Sequence, residues 1–230
     1  MGGILSRRST TIIKVTLLAL TLVAVMATER VAEACTSGLV LIPTTDTTGA
    51  YVWAVDVQWQ GYSSVLKTDQ LVINSEFGIG DRFEVGVDVD ATNGAANRRV
   101  LLNAKYVFLQ SDRFTFTMAA GTQHGSPGFE PSPYVVATKD WGVLRTHLGV
   151  QRNFTEKITQ WFIGVDRTFD ERWQIMADYA TGPGSYASAG VGWTWGRWQT
   201  VLGAQWPNDG GPALAVIHVV LTGQFGKKKG

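Results

Sequence analysis

The sequence predicts an all-β protein, an antiparallel up-and-down transmembrane β-barrel of about twelve strands that follows a cleaved signal peptide. Three observations predict it. Segments in which apolar and polar residues alternate recur from Tyr51 to Phe225, the period-two pattern of strands with two unlike faces. Arginine-aromatic pairs, Arg82-Phe83, Arg113-Phe114, Arg172-Trp173 and Arg197-Trp198, recur at short turns where one segment hands over to the next. An arginine in water followed by an outward aromatic suits a hairpin whose turn lies at a membrane interface. The short turns also alternate with longer connections rich in Gly, Pro, Ser and Asn, the asymmetry of outer-membrane barrels.

Arg7, Arg8 and Lys14 precede an uncharged run from Val15 to Met26 that ends at Ala27, and residues 1–27 are expected to be a signal peptide. The apolar run is shorter than the ~20 residues a membrane helix needs. Ala32-Glu33-Ala34 offers a second cleavage site, as late as residue 34, just before the only cysteine, Cys35. Cleavage there would expose Cys35 to lipidation, although lipoprotein signals usually place the cysteine directly after the apolar run, without the intervening charges of Glu29, Arg30 and Glu33. One cysteine permits no internal disulfide and no cysteine-based metal site. Residues 28–48 are expected as a periplasmic lead-in, 49–225 as the barrel and 226–230 as a basic C-terminal tail.

Composition narrows the class. The chain has 230 residues with 26 Gly, 9 Trp and a net charge of +1. No segment after residue 35 approaches the ~18 consecutive apolar residues of a membrane helix, which leaves a soluble all-β protein or a membrane barrel. A mean hydropathy near zero fits either, because an alternating wall averages out.

The strands follow in order. Near 51–60, Tyr51, Trp53, Val55, Val57 and Trp59 share one face, with Ala54, Asp56 and Gln58 on the other. Leu71, Ile73, Phe77 and Ile79 then oppose Asn74, Glu76 and Gly78, and Phe83, Val85, Val87 and Val89 oppose Glu84, Gly86 and Asp88. Val100, Leu102, Tyr106 and Phe108 oppose Asn103 and Lys105, and Phe114, Phe116, Met118 and Ala120 oppose Thr115, Thr117 and Gly121. The segment near 133–140 is ambiguous in phase. Next, Leu144, Thr146, Leu148 and Val150 oppose Arg145, His147, Gly149 and Gln151. The last five strands lie near 158–168, 173–180, 186–195, 198–206 and 213–225, with Trp161, Ile163, Trp173, Ile175, Trp193, Leu202, Trp206, Ile217 and Val219 among their outward residues.

The corner arginines are spaced 31, 59 and 25 residues apart, so a corner is missing from the long interval, and Asp140-Trp141-Gly142 fills it. All short turns then fall on one side of the barrel, taken as periplasmic. The aromatics give a second test: Trp53, Phe83, Phe114, Trp173, Trp195 and Trp198 would ring that boundary, and Trp59, Trp161 and Trp206 the outer one. In a soluble sandwich or ligand-binding barrel the same apolar face would instead point inward.

The phrase Glu76-Phe77-Gly78-Ile79-Gly80-Asp81-Arg82-Phe83-Glu84-Val85-Gly86-Val87 resembles the hairpins of Gram-negative outer-membrane barrels, in particular small porins and transporters, including those of phenol-degradation pathways. The resemblance implies residence in the cell outer membrane among its lipids and insertion by the barrel-assembly machinery. That machinery reads an aromatic at the end of the last strand, where Phe225 stands, followed here by Gly226-Lys227-Lys228-Lys229-Gly230.

Twelve strands enclose a lumen wider than an eight-stranded barrel and narrower than a general porin. Its expected wall carries Asp56, Glu76, Glu84, Asp88, Asp166 and Asp178 against Lys105 and Arg145, with His147 and His218. An acidic wall predicts a weakly cation-preferring passage for small solutes. The alternative is a structural or interaction barrel whose lumen Lys105 and Arg145 close by pairing with Glu76, Glu84 or Asp88. Inward Gly78, Gly86, Gly149, Gly164, Gly190, Gly192 and Gly203 would leave room for water or relieve strain in a curved sheet. A lipid hydrolase built on His147, Ser188 and Asp178 is a minor alternative, without a legible serine-histidine motif. No cofactor, metal or nucleic-acid partner is expected.

Overall fold

The computed structural model describes residues 38–62, 67–92, 99–125, 131–154 and 157–226. The expected signal peptide, both cleavage sites, Cys35 and the tail lysines lie outside the described residues, as do the middles of four long connections.

Twelve strands form one closed barrel: β1 Val52–Tyr62, β2 Lys67–Ile79, β3 Phe83–Asp90, β4 Arg99–Ser111, β5 Phe116–Gly125, β6 Ser132–Asp140, β7 Arg145–Asn153, β8 Ile158–Phe169, β9 Trp173–Ala180, β10 Tyr186–Trp195, β11 Trp198–Pro207 and β12 Leu214–Gln224. Each strand pairs antiparallel with its sequence neighbours, and β1 closes on β12 from Val52↔Gln224 to Gly61↔Ala215. Closure leaves no open edge, so every wall backbone group has a ladder partner to find, which a bilayer demands.

The faces divide as the alternation requires. Leu102, Leu148, Ile163 and Leu202 are 55%, 56%, 51% and 58% exposed on the outside, while Asp56, His147 and Gln205 are 1%, 1% and 0% exposed within. This arrangement is the reverse of a soluble barrel, which would turn its apolar face inward. The ambiguous phase of β6 has a physical cause: its inward residues are Ser132, Tyr134, Val136 and Thr138, two of them apolar, because they face apolar chain rather than water.

Four of the five corners share one device. The residue immediately before the incoming strand lends its carbonyl oxygen to the next strand over: Arg82 O accepts from Val107 N, Arg172 O from Thr194 N and Arg197 O from Thr222 N, at 2.8, 2.7 and 2.9 Å. At the second corner this residue is Thr115, whose carbonyl accepts from Asp140 N. Phe114 therefore does not open a strand as expected. Asp112–Phe114 form a 3-10 turn and Thr115 adopts a left-handed conformation with φ 46°, so β5 begins two residues later, at Phe116.

The β8–β9 turn is strained. Arg172 N donates to Phe169 O around Asp170 and Glu171, at φ 51° and 56°, a type I′ hairpin turn without its usual glycine. A left-handed L-residue costs about 1–2 kcal/mol. Glu171→Gly is accordingly expected to raise stability by about 1 kcal/mol, after the entropy lost by glycine, read as a higher urea midpoint of the folded barrel in micelles.

Phe225 lies one residue beyond β12. Its amide donates to Tyr51 O, and its ring packs against Trp53 and Phe77 at centroid distances of 6.4 and 5.7 Å. It thus covers the short-turn end of the seam where the last strand meets the first two. Trp173, Trp193 and Trp195 form a second outward aromatic group, with Trp193 6.1 Å from Trp173 and stacked 6.4 Å from Trp195.

Candidate functional site

The lumen contains chain. Residues 38–49, of which 38–48 were expected as a lead-in before the barrel, run inside it. Gly38 bridges Pro43 and Leu39 N donates to Ile42 O, so the segment folds into a tight tip. From the tip it passes to Gly49 at the short-turn end, where Thr47 Oγ1 donates to Asp81 O.

The wall is shaped to this segment. Leu39, Val40 and Ile42 are 6%, 3% and 3% exposed, in one cluster with inward Val107, Tyr134, Val136, Phe162, Met176, Val201 and Val216. A Cβ at Gly164 would lie 2.5 Å from Leu39 and 2.6 Å from Ile42; at Gly190 it would lie 3.1 Å from Val40. At Gly78 a Cβ would stand 1.8 Å from Gly49 O. The room left by these inward glycines is filled by the segment, and that at Gly149 by the Phe162 ring, rather than opened to water.

The predicted luminal residues gather into four groups, three of which hold the segment. Lys105 Nζ donates to Asp46 O at 2.6 Å and lies 3.5 Å from Glu84 Oε1, while Glu84 Oε2 accepts from Thr48 N at 2.7 Å. Arg145 joins Asp46, 3.0 Å from Nη1, to Asp166, 3.1 Å from Nη2. Asp166 also accepts from His147 Nε2 at 2.7 Å and Gln174 Nε2 at 3.0 Å. A carboxylate can only accept here, so His147 carries its proton on Nε2, with Nδ1 facing Thr138 Oγ1 at 2.8 Å. Asp178 Oδ2 accepts from Leu41 N at 3.0 Å and so caps the tip.

The fourth group stands apart from the segment's polar contacts: Asp56 Oδ2 meets His218 Nδ1 at 3.2 Å and Gln58 Nε2 at 2.7 Å. Glu76 and Asp88 line a cavity beyond the tip. Lys105 pairs with Glu84 on the adjacent strand, one of the three carboxylates expected for it, and Arg145 pairs with Asp166 on the adjacent strand and Asp46 on the segment. Ser188 stands opposite Asp178 in the β9–β10 register, with Asp178 opposite Gly164 and Gly164 opposite His147. His147 is thus three strands from Ser188, and its nitrogens face Thr138 and Asp166.

The segment separates two cavities. One of about 310 Å³ opens toward the long connections, with Gly38 to Pro43 as its floor. The other, about 690 Å³, opens at the short turns and is bounded by Thr45 to Gly49. Sequence reasoning missed the luminal segment. Its signals were the run Leu39-Val40-Leu41-Ile42 and an inward face too apolar for water.

No protein-family model and no curated protein matches the chain. Among solved structures the barrel is similar to KdgM porin, with TM-score 0.54 and 14% identity over 75% of this chain and 99% of that one. It is equally similar to KdgM porin in complex with disordered oligogalacturonate, with TM-score 0.54 and 14% identity over 76% and 99%. A triple mutant of the Rhodopseudomonas blastica porin aligns more distantly, with TM-score 0.41 and 11% identity over 67% and 56%. The likeness is one of fold, a porin-like closed β-barrel.

Proposed function

We propose that the protein is an outer-membrane channel of the porin kind, a narrow and weakly cation-preferring passage for small solutes that residues 38–48 plug. One observation carries the reading: a non-covalently held piece of chain, not the wall, obstructs the lumen between two cavities. Carboxylates outnumber cationic side chains around both. Glu76, Glu84, Asp88 and Asp90 face Lys105 in the first, and Asp46, Asp81 and Glu171 face Arg145 and Arg172 in the second. Fixed negative charge in a low-dielectric wall concentrates cations.

The apolar outer face, the aromatics at strand ends and the fold of KdgM porin support residence in outer-membrane lipid after export by a signal peptide. The position of Phe225 at the barrel seam supports its reading by the barrel-assembly machinery. The finer resemblance to transporters of phenol-degradation pathways names no solute.

A structural barrel is the second reading, favoured by the wall pairs Lys105–Glu84 and Arg145–Asp166. Single-channel current from refolded mature protein in a planar bilayer under a salt gradient separates the two. Stepwise current that reverses toward the cation potential is the expected result. Silence from protein whose heat-shifted gel mobility proves it folded, persisting after the plug is removed, would leave the structural reading.

A further inference from the structure

The plug tip covers a polar side chain that no group of the seated structure answers. Gln205 points inward from β11 and is 0% exposed, and neither its Oε1 nor its Nε2 has a hydrogen-bond partner among the described residues. Its neighbours across the strands are Ser188 on β10 and Leu214 on β12. One inward position along β11, at Gly203, a Cβ would lie 3.6 Å from Val40, and Val40 and Leu41 border the same small chamber as Gln205. A primary amide buried with both ends unmatched opposes the seated plug. A residue that served packing alone would be apolar at this level, as Leu214 and Val216 are.

The chamber measures about 40 Å³, room for about one or two waters. It shares Val40, Leu41, Gln58, Gln70 and Val72 with the larger cavity beyond the tip, so lifting Val40 and Leu41 joins the two. Apart from Trp59, its polar side chains are those of Gln58, Gln60, Gln70, Gln205 and His218. His218 is the one titratable group among them, and its Nδ1 is turned to Asp56. The lining is one of amides, not of carboxylates or ammonium groups.

The unmatched amide selects its partner. An ammonium group only donates and would leave Gln205 Nε2 unanswered, while a carboxylate only accepts and would leave Oε1 unanswered. A hydroxyl does both and brings no charge that the lining would have to balance. One hydroxyl-bearing end fits beside Gln205 once the tip has moved, and the cavity of about 310 Å³ takes the rest, at the small end of the roughly 300–1,000 Å³ range of small-molecule sites.

We propose that Gln205 is the centre of a recognition site for an uncharged polyhydroxylated solute, which enters past the long connections and takes the place of Val40 and Leu41 against the wall. The inference rests on the plugged-channel reading and names the solute class of that channel. Because the amide is reached only when the tip lifts, the solute binds the lifted state alone and draws the plug toward it. The solute thus opens its own passage.

Hydrogen exchange of the plug, read by mass spectrometry on the peptide 38–49 from folded, intact protein in detergent, tests the site with three five-carbon probes: xylitol, xylonate and cadaverine. A ligand that binds only one state multiplies the population of that state about tenfold at ten times its dissociation constant. Millimolar xylitol is accordingly expected to speed exchange of the plug amides by up to about tenfold, and the anionic and cationic probes are not. Gln205→Leu, which suits the apolar neighbours, is expected to slow exchange in the absence of solute and to abolish the xylitol response. Unchanged exchange with xylitol in folded wild type leaves the chamber to water and overturns the site. So does an equal response to all three probes, or an equal xylitol response in wild type and Gln205→Leu. Conductance keeps the two readings apart: a barrel that passes current once its plug is deleted but ignores xylitol loses only the site, and a barrel silent without its plug whose intact form loosens in xylitol loses only the channel.

Discussion

Removal of residues 38–47 from the mature protein is expected to raise single-channel conductance several-fold while the barrel still folds. The segment fills the lumen at the level of Gly164, Gly190 and Gly203, where the wall has no side chains of its own to close the passage. Its loss takes from Lys105, Arg145 and Asp178 their contacts to Asp46 and Leu41, but it also admits water to solvate them, so the wall ladder survives. Equal conductance before and after deletion, from protein of unchanged heat-shifted mobility, would end the plug reading. A gentler variant pairs Val40→Cys with Gly190→Cys in a Cys35→Ser background. A Cβ at Gly190 stands 3.1 Å from Val40 Cγ2, so the two positions are in direct contact, as a disulfide requires. Oxidation should hold conductance at its floor, and reduction should release it.

Lys105→Ala is expected to be the most damaging single change in the lumen, costing about 3–5 kcal/mol by urea unfolding in micelles, because it strands a buried carboxylate. The side chains of Lys105 and Glu84 are 3% and 5% exposed, and what then remains to Glu84 in the plug is the single amide of Thr48. Arg145→Ala should cost less. Arg145 is 28% exposed, water replaces it readily, and Asp166 keeps His147 and Gln174. Adding Glu84→Gln to Lys105→Ala should recover part of the loss, since the stranded charge is gone. An unchanged midpoint for Lys105→Ala, with conductance and ion preference also unchanged, would remove the residue from both luminal roles.

The wall was legible because a barrel strand has one solvent on each face, and period-two alternation reports that directly. Three departures show where the rule stops. Phe114 missed its strand because a 3-10 turn inserts length at one corner, and local spacing cannot announce an insertion. The phase of β6 blurred because Tyr134 and Val136 face apolar chain, which erases the contrast between faces. The plug was hidden for a related reason: Leu39, Val40 and Ile42 are buried in one cluster with residues from seven strands, contacts of long sequence separation that no window of neighbouring residues contains. The charged wall residues were found as a set, but their grouping was not, since Asp46 and Thr48, which divide them, belong to the segment read as a lead-in.

The seam described above has a kinetic consequence. Pairing Val52 with Gln224 joins the two ends of the barrel sequence, the contact of greatest separation in the wall and therefore the slowest to form. The plug is tethered directly to β1, one of the two strands that make this joint. Filling the interior and sealing the cylinder are then coupled events late in folding, and the lumen is shaped around its occupant before any solute can reach it.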